Sequence, residues 1–244
     1  MINSIDRLWV VVPTLNEAAN IRQLIVELSR LDLMPHILVV DDNSKDGTSE
    51  IVRGLQNDYN QLHLLVRTQR LGLGSAYREG FVYALARGAR AVGQMDADLS
   101  HQPNDLPKLV AALSRGADVA IGSRRVAEGL ILDWSYWRHF ISWAAAGFSR
   151  HLLGLHTQDI TAGFRLYSRA AAEQLLNLKL KSNGYAWQEE SLFWLERLGF
   201  SIAEVPVTFV DRRQGLSKLG LKQVMEFFLT VVKLAKLRIK NNFK

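Results

Sequence analysis

Cysteine is absent from the 244 residues, which excludes disulfide scaffolds, cysteine-ligated zinc and thiol nucleophiles together. Long apolar runs are missing too. The longest stretch without a formal charge, His139 to Ser149, has 11 residues, against the roughly 18 to 20 that a membrane-spanning helix needs. Near the start, Leu8 to Val12 is too short for a signal-peptide core and no small-residue cleavage site follows it, so a cytoplasmic chain is expected. Neither Gly-x-Gly-x-x-Gly nor Gly-x-x-x-x-Gly-Lys-Ser/Thr occurs. Gly72-Leu73-Gly74-Ser75 comes nearest and fits neither, which removes the main support for hydride transfer or an ATPase. The six histidines show no metal-ligand spacing, and only His101, beside an acidic pair, stands near candidate chemistry.

What is present is a chain that is 48% hydrophobic and 22% charged, enough to bury a full core, with no repeat or low-complexity tract to divide it. Its charge is uneven. Residues 1–211 carry 21 Lys and Arg against 23 Asp and Glu, whereas 212–244 carry 9 against 1. A basic tail of this kind suits nucleic acid, an anionic membrane surface or an acidic substrate. The residues between its charges favour the membrane. From 221 to 240, Lys222, Glu226, Lys233, Lys236 and Lys240 form one polar stripe, and Val224, Met225, Phe227, Phe228, Val231, Val232, Leu234 and Leu237 cover the rest. A helix packed on its own domain or on a partner is the alternative. A second wide apolar face is predicted at about 134–153, where Trp134, Trp137 and Trp143 oppose a stripe of Ser135, Arg138, Ser142 and Ser149.

The first 125 residues alternate apolar strands (Trp9 to Val12, Ile37 to Val40, Leu62 to Val66, Gly93 to Asp96, Val119 to Gly122) with helical stretches, the first capped by Asn16, later ones at Thr48 to Leu55 and Ser75 to Arg87 and after Pro103. That order predicts an α/β fold with a mainly parallel sheet covered on both faces. Ligands of such sheets bind at the carboxyl ends of the strands. Three acidic groups stand there. Asp96-Ala97-Asp98 follows a strand; if strand geometry continues, both carboxylates point to one side, as a divalent-cation site would need, although such a pair is as often a solvated turn. Asp41-Asp42-Asn43-Ser44 ends the second strand, where an acid can accept from ribose hydroxyls, while Ser44 and Asp46 turn the chain and cap the next helix. Glu17, after Pro13-Thr14-Leu15-Asn16, can close the same pocket.

These segments, with Val11-Val12-Pro13-Thr14-Leu15-Asn16-Glu17, Gly72-Leu73-Gly74-Ser75-Ala76-Tyr77 and Met95-Asp96-Ala97-Asp98-Leu99-Ser100-His101, resemble inverting family 2 glycosyltransferases of the Rossmann-like GT-A fold. Asp159-Ile160-Thr161-Ala162-Gly163-Phe164-Arg165, Gln188-Glu189-Glu190 and Val205 to Arg212 with Gly215 to Lys218 narrow the resemblance to the polyprenol-phosphate (dolichol-phosphate) mannose synthases. The resemblance spans about residues 8 to 220, with 221–244 as a basic amphipathic helix beyond the catalytic domain of 1–220.

The resemblance implies GDP-mannose as donor and a polyprenyl or dolichyl monophosphate as acceptor. Pro13, Glu17, Asp42 and Gly74 would hold the donor, with Asp96 and Asp98 reaching its diphosphate through Mg2+ or Mn2+. Asp98, Arg138, Arg165 and Arg212 would serve catalysis, and Ser123, Arg124 and Lys218 the acceptor phosphate. Gln188 and Glu190 stand in a matching motif: Glu190 could touch the sugar, order an arginine or do neither. Ser100 stands where some relatives carry a metal-binding Gln, and Arg125 to Leu130 replaces a glycine-rich acceptor loop. The implied enzyme sits peripherally on the cytoplasmic side of an anionic membrane, alone or with a small membrane-spanning partner, and uses no nucleic acid. Rival readings are transfer from another donor such as UDP-glucose, and a nucleotide-sugar-binding subunit without catalysis. A processive synthase is disfavoured because Gln-x-x-Arg-Trp is absent.

Overall fold

The computed structural model describes residues 7–132, 136–178, 180–184, 186–211 and 221–240, with the backbone alone for 136–142 and 221–224. The elements follow in the order β1 (Leu8–Thr14), α1 (Ile21–Ser29), β2 (His36–Asp41), α2 (Thr48–Leu55), β3 (Leu62–Val66), α3 (Leu73–Ala86) and β4 (Ala91–Gln94). A 3-10 turn at Pro103–Asp105 then leads into α4 (Leu106–Ser114), β5 (Val119–Ser123), β6 (Leu130–Leu132) and α5 (Tyr136–Leu153). The last are β7 (Arg165–Ser168), α6 (Arg169–Asn177), α7 (Trp187–Arg197), β8 (Ile202–Pro206), β9 (Thr208–Val210) and α8 (Leu221–Lys240).

Seven strands make one sheet in the order β3-β2-β1-β4-β7-β5-β8, and β6 and β9 pair in parallel as a second, small sheet. Within the large sheet β7 runs antiparallel to both β4 and β5, and the other neighbours are parallel. The mainly parallel α/β sheet predicted from the sequence is therefore the observed one. All seven residues of β1 are buried, because a strand covered on both faces has no polar side. Alternation divides them. Trp9 and Val11 enter one core with Tyr77, Phe81, Tyr167 and Phe193. Leu8, Val10 and Val12 enter the other with Ile21, Leu24, Ile25 and Leu28 of α1.

Two local expectations are corrected. Asn16 does not cap α1, which starts at Ile21 after a turn; in left-handed backbone (φ 55°), its Oδ1 accepts from Lys45 N and its N–H donates to Ser44 Oγ. The fourth strand stops at Gln94, so Asp96 to Asp98 lie in a bend rather than along a strand.

The two amphipathic helices have two different faces. Toward the protein, α8 buries Val231, Leu234 and Ala235 and packs on α5 and α7. Arg238 fixes the α5–α8 pair by donating to the His151 and Leu152 carbonyls at the end of α5. Outward, Met225, Phe228, Leu229, Val232 and Ile239 follow helical spacing and are exposed, beside exposed Trp143 and Phe148 of α5. The inner face is that of a helix packed on its own domain, and the outer face is an exposed apolar stripe. Among the described residues no helix is long and apolar enough to cross a membrane.

One glycine controls how closely α3 approaches the sheet. A Cβ at Gly80 would lie 2.3 Å from Cγ1 of Val11, which is fully buried. Gly80→Ala is expected to lower stability by about 1–2 kcal/mol in a urea titration, since overpacking at a rigid site outweighs the helix propensity gained. A stabilised variant would contradict this packing.

Candidate active site

Because β2, β1 and β4 are parallel neighbours, the residues that follow their carboxyl ends meet. Pro13 and Thr14 at the end of β1, Leu15 and Glu17 after it, Asp42 after β2 and Asp96 and Asp98 after β4 line one cleft, closed by Arg70, Gly72, Leu73 and Ala76. Five of the residues assigned to donor or metal from the sequence are thus brought together.

The two neighbouring aspartates at the end of β2 do different work. Asp41 is buried and accepts from Thr14 Oγ1 (2.7 Å), Ser44 N (3.0 Å), Ser44 Oγ (2.6 Å) and Ser49 Oγ (2.9 Å), which fixes the turn. Asp42 accepts from Leu71 N (2.8 Å), Gly72 N (2.9 Å) and Arg67 Nη1 (3.0 Å). An ionised carboxylate has about four acceptor positions, so Asp42 mostly holds the 67–72 loop over the cleft and retains about one lone pair for a ligand. Arg67, also paired with Glu79 at 3.1 Å and donating to the Gly72 carbonyl, completes that clasp.

Asp96 is held from two sides. Its Oδ1 accepts from the Tyr77 hydroxyl at 3.0 Å, and its Oδ2 lies so close to Gly163 that a Cβ there would come within 2.8 Å. Asp98 Oδ1 accepts from Ser100 N at 3.1 Å, through a turn in which Leu99 has φ 59°. Ser100 therefore serves Asp98 through its backbone, with its side chain buried. Among the described residues no three His, Cys, Asp or Glu side chains gather into a closed metal cage. Two hard carboxylates opening on one cleft are instead the donor set of an ion that takes its remaining ligands from substrate phosphates, so Asp96 and Asp98 fit Mg2+ or Mn2+.

Several other assigned residues make contacts within the protein. Arg165 was expected to meet a phosphate, yet its guanidinium is buried and donates to the Ala162 carbonyl (2.9 Å), the Ile160 carbonyl (2.9 Å) and the Gln188 carbonyl (2.8 Å). It anchors the loop that carries Gly163. Arg124 is committed as well: Nε and Nη2 bind Asp159 at 2.8 and 2.9 Å, and Nη2 reaches Thr161 Oγ1. Ser123, fully buried at the end of β5, accepts from Arg125 N. Gly74 does not line the cleft; a Cβ there would meet the Ser182 carbonyl at 2.7 Å, so this glycine permits close packing of the 182–183 backbone. Gly72 lines the cleft in its place. Gln188 is buried beneath the site and accepts from Gln94 Nε2. Glu190 orders backbone rather than sugar or arginine, accepting from Lys181 N and Ser182 N. The Arg138 side chain, Arg212 and Lys218 lie outside the described residues.

Arg67, Arg70, Tyr77, Asp159 and Gly163 were not assigned from the sequence. Arg67 carried a usable signal, a charge directly after an apolar strand at the ligand-binding edge. Tyr77 and Gly163 stood inside quoted motifs but reach Asp96 only through the fold. Behind Arg165, burial pushes the Glu189 carboxyl up to about 8 against the pull of its own backbone N–H and of Arg165. Asp159 shows the opposite balance: burial disfavours its charge, but Arg124 outweighs that and holds it down at about 2.

Because that folded-state value is below the ordinary 3.8, the pair's contribution is present above about pH 4 and lost as pH falls toward 2. Asp159→Asn should cost about 3 kcal/mol at pH 7 by leaving Arg124 buried without its counter-charge. It should also flatten the acid limb of stability measured by urea unfolding from pH 5 to 2; an unchanged limb would contradict the pairing.

The chain is 39% identical over 227 residues to the polyprenol monophosphomannose synthase of Mycolicibacterium smegmatis, covering 93% of this chain and 86% of that one. It is 44% identical over 218 residues to the undecaprenyl-phosphate mannosyltransferase of Micrococcus luteus, covering 88% of each. Among solved structures, glucosyl-3-phosphoglycerate synthase from Mycobacterium tuberculosis, in complex with Mn2+, UDP and glucosyl-3-phosphoglycerate, shares the fold (TM-score 0.71, 22% identity, 96% of this chain and 82% of that one). So does a mannosyltransferase from Pyrobaculum calidifontis in complex with GDP-Man and Mn2+ (TM-score 0.62, 20% identity, 98% and 65%). Residues 9–176 match glycosyl transferase family 2, and the chain belongs to that family.

Proposed function

We propose that the protein transfers mannose from GDP-mannose to a polyprenyl monophosphate, with inversion, giving polyprenyl-phosphate mannose and GDP. The observation that carries the reading is the meeting of Asp96 and Asp98 in the cleft that also holds Pro13, Glu17 and Asp42. Membership of family 2 supports reading this cleft as a nucleotide-sugar site. The names of the two sequence relatives supply the lipid phosphate and the mannose.

The chemistry divides between two anions. A phosphate monoester, with a second pKa near 6, is already a nucleophile at neutral pH, so none of the side chains here has to act as general base toward it. The bond between the anomeric carbon and the donor's diphosphate breaks, GDP leaves with the electron pair, and an acceptor phosphate oxygen bonds to the opposite face of that carbon. No covalent link to the protein forms. Asp96 and Asp98 would hold a divalent cation, which would supply charge neutralisation for the leaving diphosphate. Arg70, exposed on the cleft wall, adds positive charge on the donor side. For the acceptor phosphate, with Arg124 and Arg165 committed to the protein's interior, the proposal assigns Arg138, Arg212 and Lys218. Guanidinium forks suit phosphate oxygens in pairs.

The isoprenoid tail stays in the bilayer, so the enzyme must come to it. The exposed apolar stripe of α8 and Trp143 of α5, flanked by exposed Lys233, Lys236 and Lys240, form the surface proposed to lie in the headgroup region. Attachment is peripheral on this reading, with a membrane-spanning partner as an addition rather than a requirement.

A donor panel tests the function. Purified protein with Mg2+ or Mn2+ and a short polyprenyl phosphate should move label into organic solvent from GDP-mannose and not from UDP-glucose or UDP-N-acetylhexosamines; the reverse preference would overturn the donor. Asp98→Ala should lower turnover at least roughly 100-fold with an unchanged circular dichroism spectrum, and a fully active variant would remove the metal assignment. Binding to anionic vesicles should weaken steeply as salt rises, because each lysine near the surface contributes about 1 kcal/mol. Sedimentation indifferent to salt would argue for a protein partner instead.

A further inference from the structure

His101 is the one histidine adjoining the acidic pair, and its surroundings are unusual. Its side chain is 1% exposed and neither ring nitrogen has a hydrogen-bond partner among the described residues. The ring sits between Phe164 and Phe209, with centroids 5.5 and 5.4 Å away, and the backbone at His101 bridges to Phe209. Aromatic walls supply nothing for the nitrogens. Across from Nε2, at 3.7 Å, is Oδ2 of Asp96.

That distance is too long for a hydrogen bond and short enough to become one by a small rotation of the carboxylate. We infer that His101 is the positioning residue of the Asp96 carboxylate, donating from Nε2 to Oδ2 when Asp96 carries its divalent ion. The inference rests on the metal reading of Asp96 and Asp98. Tyr77 already holds Oδ1, so His101 on Oδ2 fixes the plane of the carboxylate from its second oxygen. Carboxylates that bind metal are themselves hydrogen-bonded, and loss of such partners costs 10- to 100-fold in metal affinity.

Burial separates this role from direct ligation. The Asp96 side chain is 33% exposed and lines the cleft, whereas His101 is 1% exposed and lines a separate pocket beside Asp98. On this reading Asp96 and Asp98 would hold the ion from the cleft, which His101 does not line. The two phenylalanines hold the ring in place, so the support for Asp96 is built before any ligand arrives.

The test is Mn2+ binding in the presence of GDP, read from the electron paramagnetic resonance of free Mn2+, with thermal unfolding measured in parallel. His101→Phe keeps the aromatic packing and removes the donor; it should weaken Mn2+ at least 10-fold while the metal-free protein unfolds at or above the native temperature. His101→Gln restores a donor near the Nε2 position and should recover affinity to within about threefold. Native-like Mn2+ affinity in His101→Phe would overturn the inference and leave the metal reading standing, as would His101→Gln binding no better than His101→Phe. If His101→Phe does not fold, the comparison of His101→Gln with native protein decides by the same threefold margin. Absence of Mn2+ binding by the native protein would overturn the metal reading itself and this inference with it.

Discussion

A cleft walled by carboxylates has to receive a nucleotide that is itself an anion, and the site's arrangement follows from that conflict. Glu17, Asp42, Asp96 and Asp98 surround the same space. Like charges gathered in one partly desolvated cleft repel. Asp42 meets the difficulty internally, by pairing with Arg67 and two backbone N–H groups. Asp96 and Asp98 leave room for an ion. The parallel β2-β1-β4 register makes this possible, because it sets three loop starts side by side at one edge.

Buried arginines around the cleft are structural. Arg67, Arg124 and Arg165 each sit within a few residues of a motif and each spends its donors on the protein: on Asp42 and Glu79, on Asp159, and on three carbonyls. Together they fix the loops at 67–72 and 159–163. The Asp159–Arg124 pair and the Arg165 clasp hold the segment whose Gly163 lies against Asp96. Charge inside the fold thus sets the geometry of charge at its surface.

The sheet was legible in the sequence because its strands are continuous apolar runs, a pattern that tertiary contacts seldom override. The acids were legible because a carboxylate at the carboxyl end of a parallel strand has few structural uses. The internal contacts of Arg165 and Arg124 were not legible because a motif conveys residue type and order, whereas the direction of a guanidinium is decided by carbonyls and carboxylates distant in sequence. Gly74 and Gly163 show the same limit: each is needed for the close approach of another segment, at 182–183 and at Asp96. Asn16 looked like a helix cap and proved to be a tie between two loops. The strand β7 between β4 and β5, antiparallel to both, has only four residues and no alternation long enough to read.

The amphipathic helices connect to the rest of the fold by packing, since α8 lies on α5 and on α7, whose first turn carries Gln188 and Glu190. The central claim concerns the cleft itself, and calorimetric titration of GDP into the protein with Mg2+ or Mn2+ and then with a chelator examines it most directly. The account predicts that chelation weakens GDP at least tenfold, because the carboxylates then face the diphosphate without compensation. GDP binding equally tight with and without the ion would contradict it.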